Sequence, residues 1–286
     1  MERREMLAVL GAASAAQVIG AVTPIVADAM TTGDGAGKLK QSVCRWCYQS
    51  MPLDVLSRNV AAMGFRSVEL LSESEWPVVK QFGLTCAVAN GPGTIPVGFN
   101  RLDQHDRLVA ESERLLPLIA AAGIPQMIVF SGNRAGMSDV QGIANCAVGL
   151  KRITPLAEKL GVTIIMELLN SKVDHKDYMC DHTAWGVELV KRVGSPRFKL
   201  LYDVYHMQIM EGDVIRTIRD NHTHIGHYHT GGVPGRNEID ESQELFYPRI
   251  MKALVELGFD GYVAQEFIPA RDPMTSLRQA FALCNV

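Results

Sequence analysis

Four short, largely apolar runs in the second half of the chain each end in an acid or an imidazole. They are Ile164-Ile165-Met166-Glu167, Leu200-Leu201-Tyr202-Asp203, Ile225-Gly226-His227-Tyr228-His229 and Val263-Ala264-Gln265-Glu266. A carboxylate set into an apolar strand costs several kcal/mol unless it is paired or ligated. For any one of these groups alone, a buried ion pair or a satisfied core residue is the simpler reading. Repetition in four consecutive segments argues for one shared reason, and a divalent cation supplies it. Glu167, Asp203, His229 and Glu266 offer three carboxylates and one imidazole. An oxygen-rich set with a single histidine suits Mn²⁺ or Mg²⁺, with Co²⁺ or Zn²⁺ as alternatives.

Such a set works only if the fold brings the four segments to one place. From residue 39 onward a short extended pattern alternates with a longer helical one. The spacing predicts strands over residues 41–47, 67–71, 85–90, 126–130, 163–168, 199–204, 225–229 and 262–267. Between them, apolar residues three and four apart predict helices, most clearly over 53–63, 107–122, 143–160, 183–193 and 247–257. Glycine follows several of these helices, where its tolerance of the left-handed conformation would close the last turn. Eight strands alternating with helices or long loops predict parallel pairing and the α/β class, as a single (β/α)8 TIM barrel over residues 39–286. The competitor, an open doubly wound sheet, would carry a glycine-rich phosphate turn after its first strand, and this chain has none there. In a barrel, chemistry collects at the C-terminal ends of the strands, where Glu167, Asp203, His229 and Glu266 stand.

The 286-residue chain is 47% apolar and 21% charged, too apolar for disorder and of the length one such barrel needs. A net charge of −3 without a basic cluster argues against a nucleic-acid partner and for a small-molecule one. Residues 1–29 read differently. Arg3-Arg4 precede a mildly apolar run rich in alanine, glycine and valine, and Ala27-Asp28-Ala29 places small residues at alternating positions. That pattern matches a twin-arginine export signal with its processing site. An N-terminal anchor or amphipathic helix is the alternative, although a run so rich in alanine and glycine anchors poorly. The expectation is a periplasmic or otherwise exported protein with no stable membrane insertion after processing, and a cytoplasmic one if the segment is no signal. Residues 30–38 read as a linker. The six cysteines are scattered, and Cys44-Arg45-Trp46-Cys47 lacks the second pair of a structural zinc site, so ordinary buried thiols are expected. The composition leaves homo-oligomerisation open.

The segments around the acids carry a more specific likeness. They are Tyr202-Asp203-Val204-Tyr205-His206-Met207-Gln208-Ile209-Met210-Glu211-Gly212, Ile225-Gly226-His227-Tyr228-His229 and Pro234-Gly235-Arg236-Asn237-Glu238. To these add Ala253-Leu254-Val255-Glu256-Leu257-Gly258-Phe259-Asp260-Gly261 and Glu266, shortly before Pro269. Together they resemble hydroxypyruvate isomerases, a branch of the xylose-isomerase-like superfamily of barrels. The resemblance is strong over residues 163–269 and weaker before them. It implies a metal-dependent isomerase or epimerase of a small hydroxy-carbonyl substrate such as hydroxypyruvate, a ketose or a keto-sugar. It also implies one divalent metal on Glu167, Asp203, His229 and Glu266, proton transfer by Glu167 and Glu266, and substrate contacts from His206 and Arg236. Two departures bear on the substrate. His229 stands where hydroxypyruvate isomerases often carry glutamine, whereas the ketose 3-epimerases that share the fold use histidine there. The loop after Arg236 is shorter, and Leu245-Phe246-Tyr247 replaces a polar stretch.

Asn170 and Lys172, just past Glu167, stand where they could reach the substrate, and Trp46 could wall the pocket or pack in the core. His227 shares the face of His229 one layer deeper, as a supporting donor or as a core residue. His222 and His224 precede a strand and are expected in solvent, while His105, His175 and His182 have no partner that sequence names. The implied chemistry removes a proton beside a carbonyl and returns it to the neighbouring carbon or the opposite face. The cation acts as a Lewis acid, and Arg236 holds an anionic or hydroxyl group. Dehydratase or lyase chemistry on a keto-sugar at the same site is an alternative, and so is an exported, non-catalytic sugar-binding barrel. An abasic-site endonuclease of this fold would need a multi-zinc cluster richer in histidine and a basic groove.

Overall fold

The computed structural model describes residues 37–286, so residues 1–29, expected from sequence to be an export signal, and all of the expected linker but Gly37 and Lys38 lie outside the described residues. Those two residues are pinned to the end of the chain, with Gly37 N donating to Asn285 Oδ1 (2.9 Å) and Lys38 N to the Val286 carbonyl (3.3 Å).

The strands are β1 (Lys40–Cys44), β2 (Ser67–Glu69), β3 (Val88–Ala89), β4 (Gln126–Val129), β5 (Thr163–Leu168), β6 (Phe198–Asp203), β7 (Ile225–Thr230) and β8 (Tyr262–Gln265). All neighbours pair in parallel, in the order β2-β1-β8-β7-β6-β5-β4-β3. Parallel bridges Ser67↔Thr85 and Leu71↔Ala89 join the two ends and bring the sheet round into a barrel. Around it lie α1 (Leu53–Met63), α2 (Trp76–Lys80), α3 (His105–Ala121), α4 (Asp139–Leu160), α5 (Thr183–Val193), α6 (Val204–Met210), α7 (Val214–Asn221), α8 (Tyr247–Glu256) and α9 (Pro273–Cys284). Local chemistry sets the helix ends. Ser138 accepts from the Gln141 amide to start α4, which stops at Gly161 in the left-handed region with φ of +73°.

The two-residue pleat sorts each strand between a helix-facing shell and the barrel interior. Ile164, Met166 and Leu168 of β5 and Leu200 and Tyr202 of β6 join the large apolar shell beneath the helices. Each aliphatic side chain so buried contributes about 1.5–3 kcal/mol. Their alternates Ile165 and Leu201 form a small interior cluster with Ala87, Val88 and Ile128. One step on toward the strand ends, the same interior face carries Glu167 and Asp203. Register then brings Asp203 opposite His229 and Leu201 opposite His227, so His227 does lie one layer deeper.

The structure departs from the sequence pattern in two early elements. The first strand stops at Cys44 rather than at Cys47, and Arg45–Tyr48 turn as a 3-10 helix. The indole of Trp46 then donates to Glu266 Oε1 (2.7 Å), which an extended strand would not allow. The third strand holds regular pairing only over Val88–Ala89. All six cysteines are free thiols, five of them buried as expected and Cys47 half-buried.

Candidate active site

Each acid reaches the barrel mouth by strand geometry and is then held by its local chain. Asp203 ends β6 and caps α6, its Oδ1 accepting from the backbone of Tyr205 (2.8 Å) and His206 (3.3 Å). Its other oxygen, Oδ2, is left facing Arg236 Nη2 (3.4 Å) and His206 Nε2 (3.5 Å). His229, fully buried on β7, presents Nδ1 to Glu266 Oε2 (2.8 Å) and Glu167 Oε1 (3.3 Å). Its Nε2 faces the opposite way, 2.9 Å from Glu69 Oε1.

Arg236 enters from the loop after β7 with its own backbone in the left-handed region, φ +58°. A non-glycine residue there is strained, a feature that concentrates at functional sites. Its guanidinium lies over the Trp46 ring (5.0 Å) and the Tyr205 ring (5.2 Å) and donates through Nη2 to Glu266 Oε2 (2.7 Å).

Electrostatics separate the two glutamates. Burial pushes the Glu167 carboxyl above its ordinary pKa, and the charge of Glu266 adds to the shift. Burial pushes Glu266 the same way, but His229 and Arg236 beside it outweigh that and hold it well below. Two nearby carboxylates driven apart in this way form an acid–base pattern. Burial, opposed by Arg236, raises Asp203 well above its usual value, and burial with Arg236 holds His206 well below, so its imidazole is neutral.

One ligand atom from each of Glu167, Asp203, His229 and Glu266 lies within 4.8 Å of the others. Glu167 Oε1 is buried without a hydrogen-bond donor. Three carboxylates, one imidazole and an orphaned carboxylate oxygen fit a divalent cation with hard, oxygen-preferring chemistry.

A pocket of about 330 Å³ opens at this cluster. Glu167, Glu266, Arg236 and His175 give its polar side, with Trp46 and Asn90 at its margin, while Leu70, Ile95, Ile128, Phe130 and Leu169 form an apolar wall. A larger and more open depression of about 620 Å³, between Trp76 and Arg114, holds no comparable cluster. Its Arg114 is paired with Glu73 and Glu111.

The remaining expected residues fall into two groups. His206 is fully buried beside the acids, its Nδ1 accepting from Asn170 Nδ2 (2.6 Å), and its Nε2 has no aligned partner. Asn170 itself is fully buried, and its amide is taken up by His206, Asp174 and the backbone of Val173 and Asp174. It is placed to orient His206 rather than to touch a ligand. Lys172 donates to the carbonyls of Ile209 and Met210 at the end of α6, away from the pocket. Sequence reasoning missed Glu69 and the pocket position of His175. Glu69 is fully buried on β2 and is a neighbour of both His227 and His229.

Comparison with known proteins agrees with this architecture. A family model described as xylose isomerase-like TIM barrel matches residues 57–284. A 2-oxo-tetronate isomerase of Cupriavidus necator is 31% identical over 221 residues, covering 73% of this chain and 84% of that protein. A D-psicose 3-epimerase of Ruminiclostridium cellulolyticum is 31% identical over 121 residues, 41% of this chain and 38% of that protein. The crystal structure of an AP endonuclease, family 2, from Brucella melitensis superposes with a TM-score of 0.76 at 24% identity, covering 84% of this chain and 97% of that one. At that identity the likeness is one of fold. Closed parallel strands, helices outside and a family match spanning most of the chain agree: the protein belongs to the xylose isomerase-like TIM barrel family.

Proposed function

We propose that the protein is a cation-dependent isomerase of a short hydroxy-keto acid, moving a carbonyl between adjacent carbons by proton transfer. The observation that carries this reading is the placement of Glu167 and Glu266. One lies near the end of β5 and the other just past β8, both stand beside His229 Nδ1 (3.3 Å and 2.8 Å), and both line one pocket. A divalent cation on Glu167, Asp203, His229 and Glu266 would supply Lewis-acid stabilisation for the charge that develops on two adjacent substrate oxygens.

The chain's own residues account for the rest. One glutamate takes the C–H proton from the carbinol carbon, leaving an ene-diol framework, and the other delivers a proton to the former carbonyl carbon. The hydroxyl proton of the carbinol passes to the former carbonyl oxygen in the same conversion, so bonds and electrons balance within the substrate and no redox partner enters. Trp46 Nε1 and Arg236 Nη2 hold the two oxygens of Glu266 in place. Leu70, Ile95, Ile128, Phe130 and Leu169 keep water from the carbon that would otherwise be protonated from solvent.

The same wall supports a short acid over a ketohexose. Distal hydroxyls of a six-carbon chain would lie against apolar side chains without partners, at about 1–3 kcal/mol for each unsatisfied group. The related 2-oxo-tetronate isomerase supports the same substrate class. Arg236 is the natural carboxylate anchor, since its bonds to Asp203 and Glu266 both run through Nη2 and neither uses Nη1. Incubating the Mn²⁺-loaded protein with 2-oxo-tetronate, hydroxypyruvate and D-psicose, followed by NMR, tests the reading. Conversion of an acid supports it. Turnover of the ketohexose alone would replace it with the epimerase reading.

Arg236→Ala is expected to raise KM strongly on the acid substrate while the cation stays bound, and Arg236→Lys to restore KM only in part for lack of the planar fork. Steady-state kinetics with metal analysis measure both. Unchanged KM in Arg236→Ala would make the arginine purely structural.

We further propose, from sequence, that residues 1–29 export the folded protein by the twin-arginine route, which recognises Arg3-Arg4. Changing both to lysine should keep the protein in the cytoplasm. The same periplasmic fraction for the double variant and the parent would remove that reading.

A further inference from the structure

Glu69 is the most deeply buried carboxylate that the proposed reaction does not use. It is 0% exposed, and among the described residues its ion-pair neighbours are two imidazoles rather than any lysine or arginine. A carboxylate buried without a cationic side chain costs several kcal/mol, so its retention points to what it touches. Its Oε1 lies 2.9 Å from His229 Nε2 in an aligned hydrogen bond. The same atom lies 2.9 Å from His227 Nε2, a close contact without hydrogen-bond alignment. Backbone geometry makes the position possible. Glu69 ends β2 opposite Cys44 on the interior face, and Leu70 then turns into the left-handed region at φ +57°, so that Leu70 too faces the pocket.

We propose that Glu69 is a positioning residue for the cation site: it accepts the Nε2–H of His229 and thereby fixes the tautomer whose bare Nδ1 faces Glu167, Asp203 and Glu266. This rests on the cation reading above. A neutral imidazole holds one ring proton, and His229 has a carboxylate oxygen within 2.9 Å of each nitrogen. With the proton on Nε2, the Nδ1 lone pair converges with Glu167 Oε1 and Glu266 Oε2 into a donor set. With the proton on Nδ1, the Nε2 lone pair would face the Glu69 carboxylate at 2.9 Å in a fully buried site, with the weakly donating Cys44 thiol 3.7 Å from Nε2. A carboxylate accepting the second N–H of a ligating histidine also orients the ring and strengthens it as a donor, an effect worth about 10–100-fold in metal affinity.

The test uses the full chain, stripped of metal and titrated with Mn²⁺ alone by calorimetry. Glu69→Gln preserves shape but can meet either tautomer, through its carbonyl or its amide. Glu69→Leu offers no acceptor at all. Mn²⁺ affinity should fall about 10–100-fold in Glu69→Leu and by a smaller factor in Glu69→Gln. Burial lowers the His229 pKa, but the acidic groups around its ring outweigh that and hold it well up. ¹⁵N imidazole shifts of the metal-free protein, taken above the pH at which the ring becomes neutral, should therefore show His229 held as the Nε2–H form in wild type and a mixture in Glu69→Gln. If Glu69→Leu fails to fold, Glu69→Gln decides. Wild-type Mn²⁺ affinity in a folded Glu69→Gln with an unchanged tautomer overturns the proposal alone. A wild-type protein that binds none of Mn²⁺, Mg²⁺, Co²⁺ or Zn²⁺ overturns it together with the cation reading.

Discussion

Glu167→Gln and Glu266→Gln are each expected to lose at least about 10²–10⁴-fold in kcat, the range that a positioned acid or base contributes. Glutamine nearly matches glutamate in shape, so Trp46 can still donate to residue 266 and the pocket survives, yet the amide cannot take up a proton. The double variant should be little slower than either single one, because a proton removed and not returned stops the reaction at the same stage. Additive losses would mean that the two carboxylates work separately. Metal content has to be measured on every variant, since each glutamate is also one of the four clustered ligand groups.

Chelation is expected to abolish turnover and lower the melting temperature, with both restored by Mn²⁺ or Mg²⁺. A cation that binds only the folded chain stabilises it by mass action, about 2.7 kcal/mol at a hundredfold excess over Kd. Asp203→Asn isolates the ligand role. The asparagine Oδ1 can still accept from Tyr205 and His206 and start α6, so the fold holds while the charged Oδ2 is lost. Its Mn²⁺ affinity should fall at least about 10-fold, the lower end of what even an outer partner of a ligand is worth. His229→Ala removes the imidazole and should do the same or more. Scanning calorimetry with and without chelator, beside elemental analysis, reads both effects. Full metal occupancy in both variants would dissolve the four-residue cluster as a binding site.

What sequence could reveal follows from how the chain presents each residue. Glu167 is the next-to-last and Asp203 the last residue of strands of six residues whose alternation marks one face as apolar shell and the other as interior, so an acid there is conspicuous. Glu69 ends a strand of three residues and precedes the acidic stretch Glu73 to Glu75, where nothing in the pattern marks one carboxylate as buried. Only the left-handed turn at Leu70 separates it from its neighbours, and sequence does not announce that conformation in a leucine. The bond from Trp46 to Glu266 was hidden for a related reason, because an apolar run extending past Cys44 reads as strand although the chain has already turned. His175 sits in a loop without periodicity. Asn170 and Lys172 show the reverse, polar residues close to Glu167 in sequence whose groups the structure commits to His206 and to the end of α6. Barrel class and strand order were legible because eight alternations leave few other ways to bury so many apolar strands.

The most direct measurement is an NMR time course of 2-oxo-tetronate with wild type and with the Glu167→Gln, Glu266→Gln double variant, each with its Mn²⁺ content determined. Wild type should move the carbonyl between adjacent carbons, and the double variant, with metal still bound, should leave the substrate essentially unchanged. A metal-replete double variant that converts the substrate at a rate near wild type would contradict proton transfer by these two glutamates.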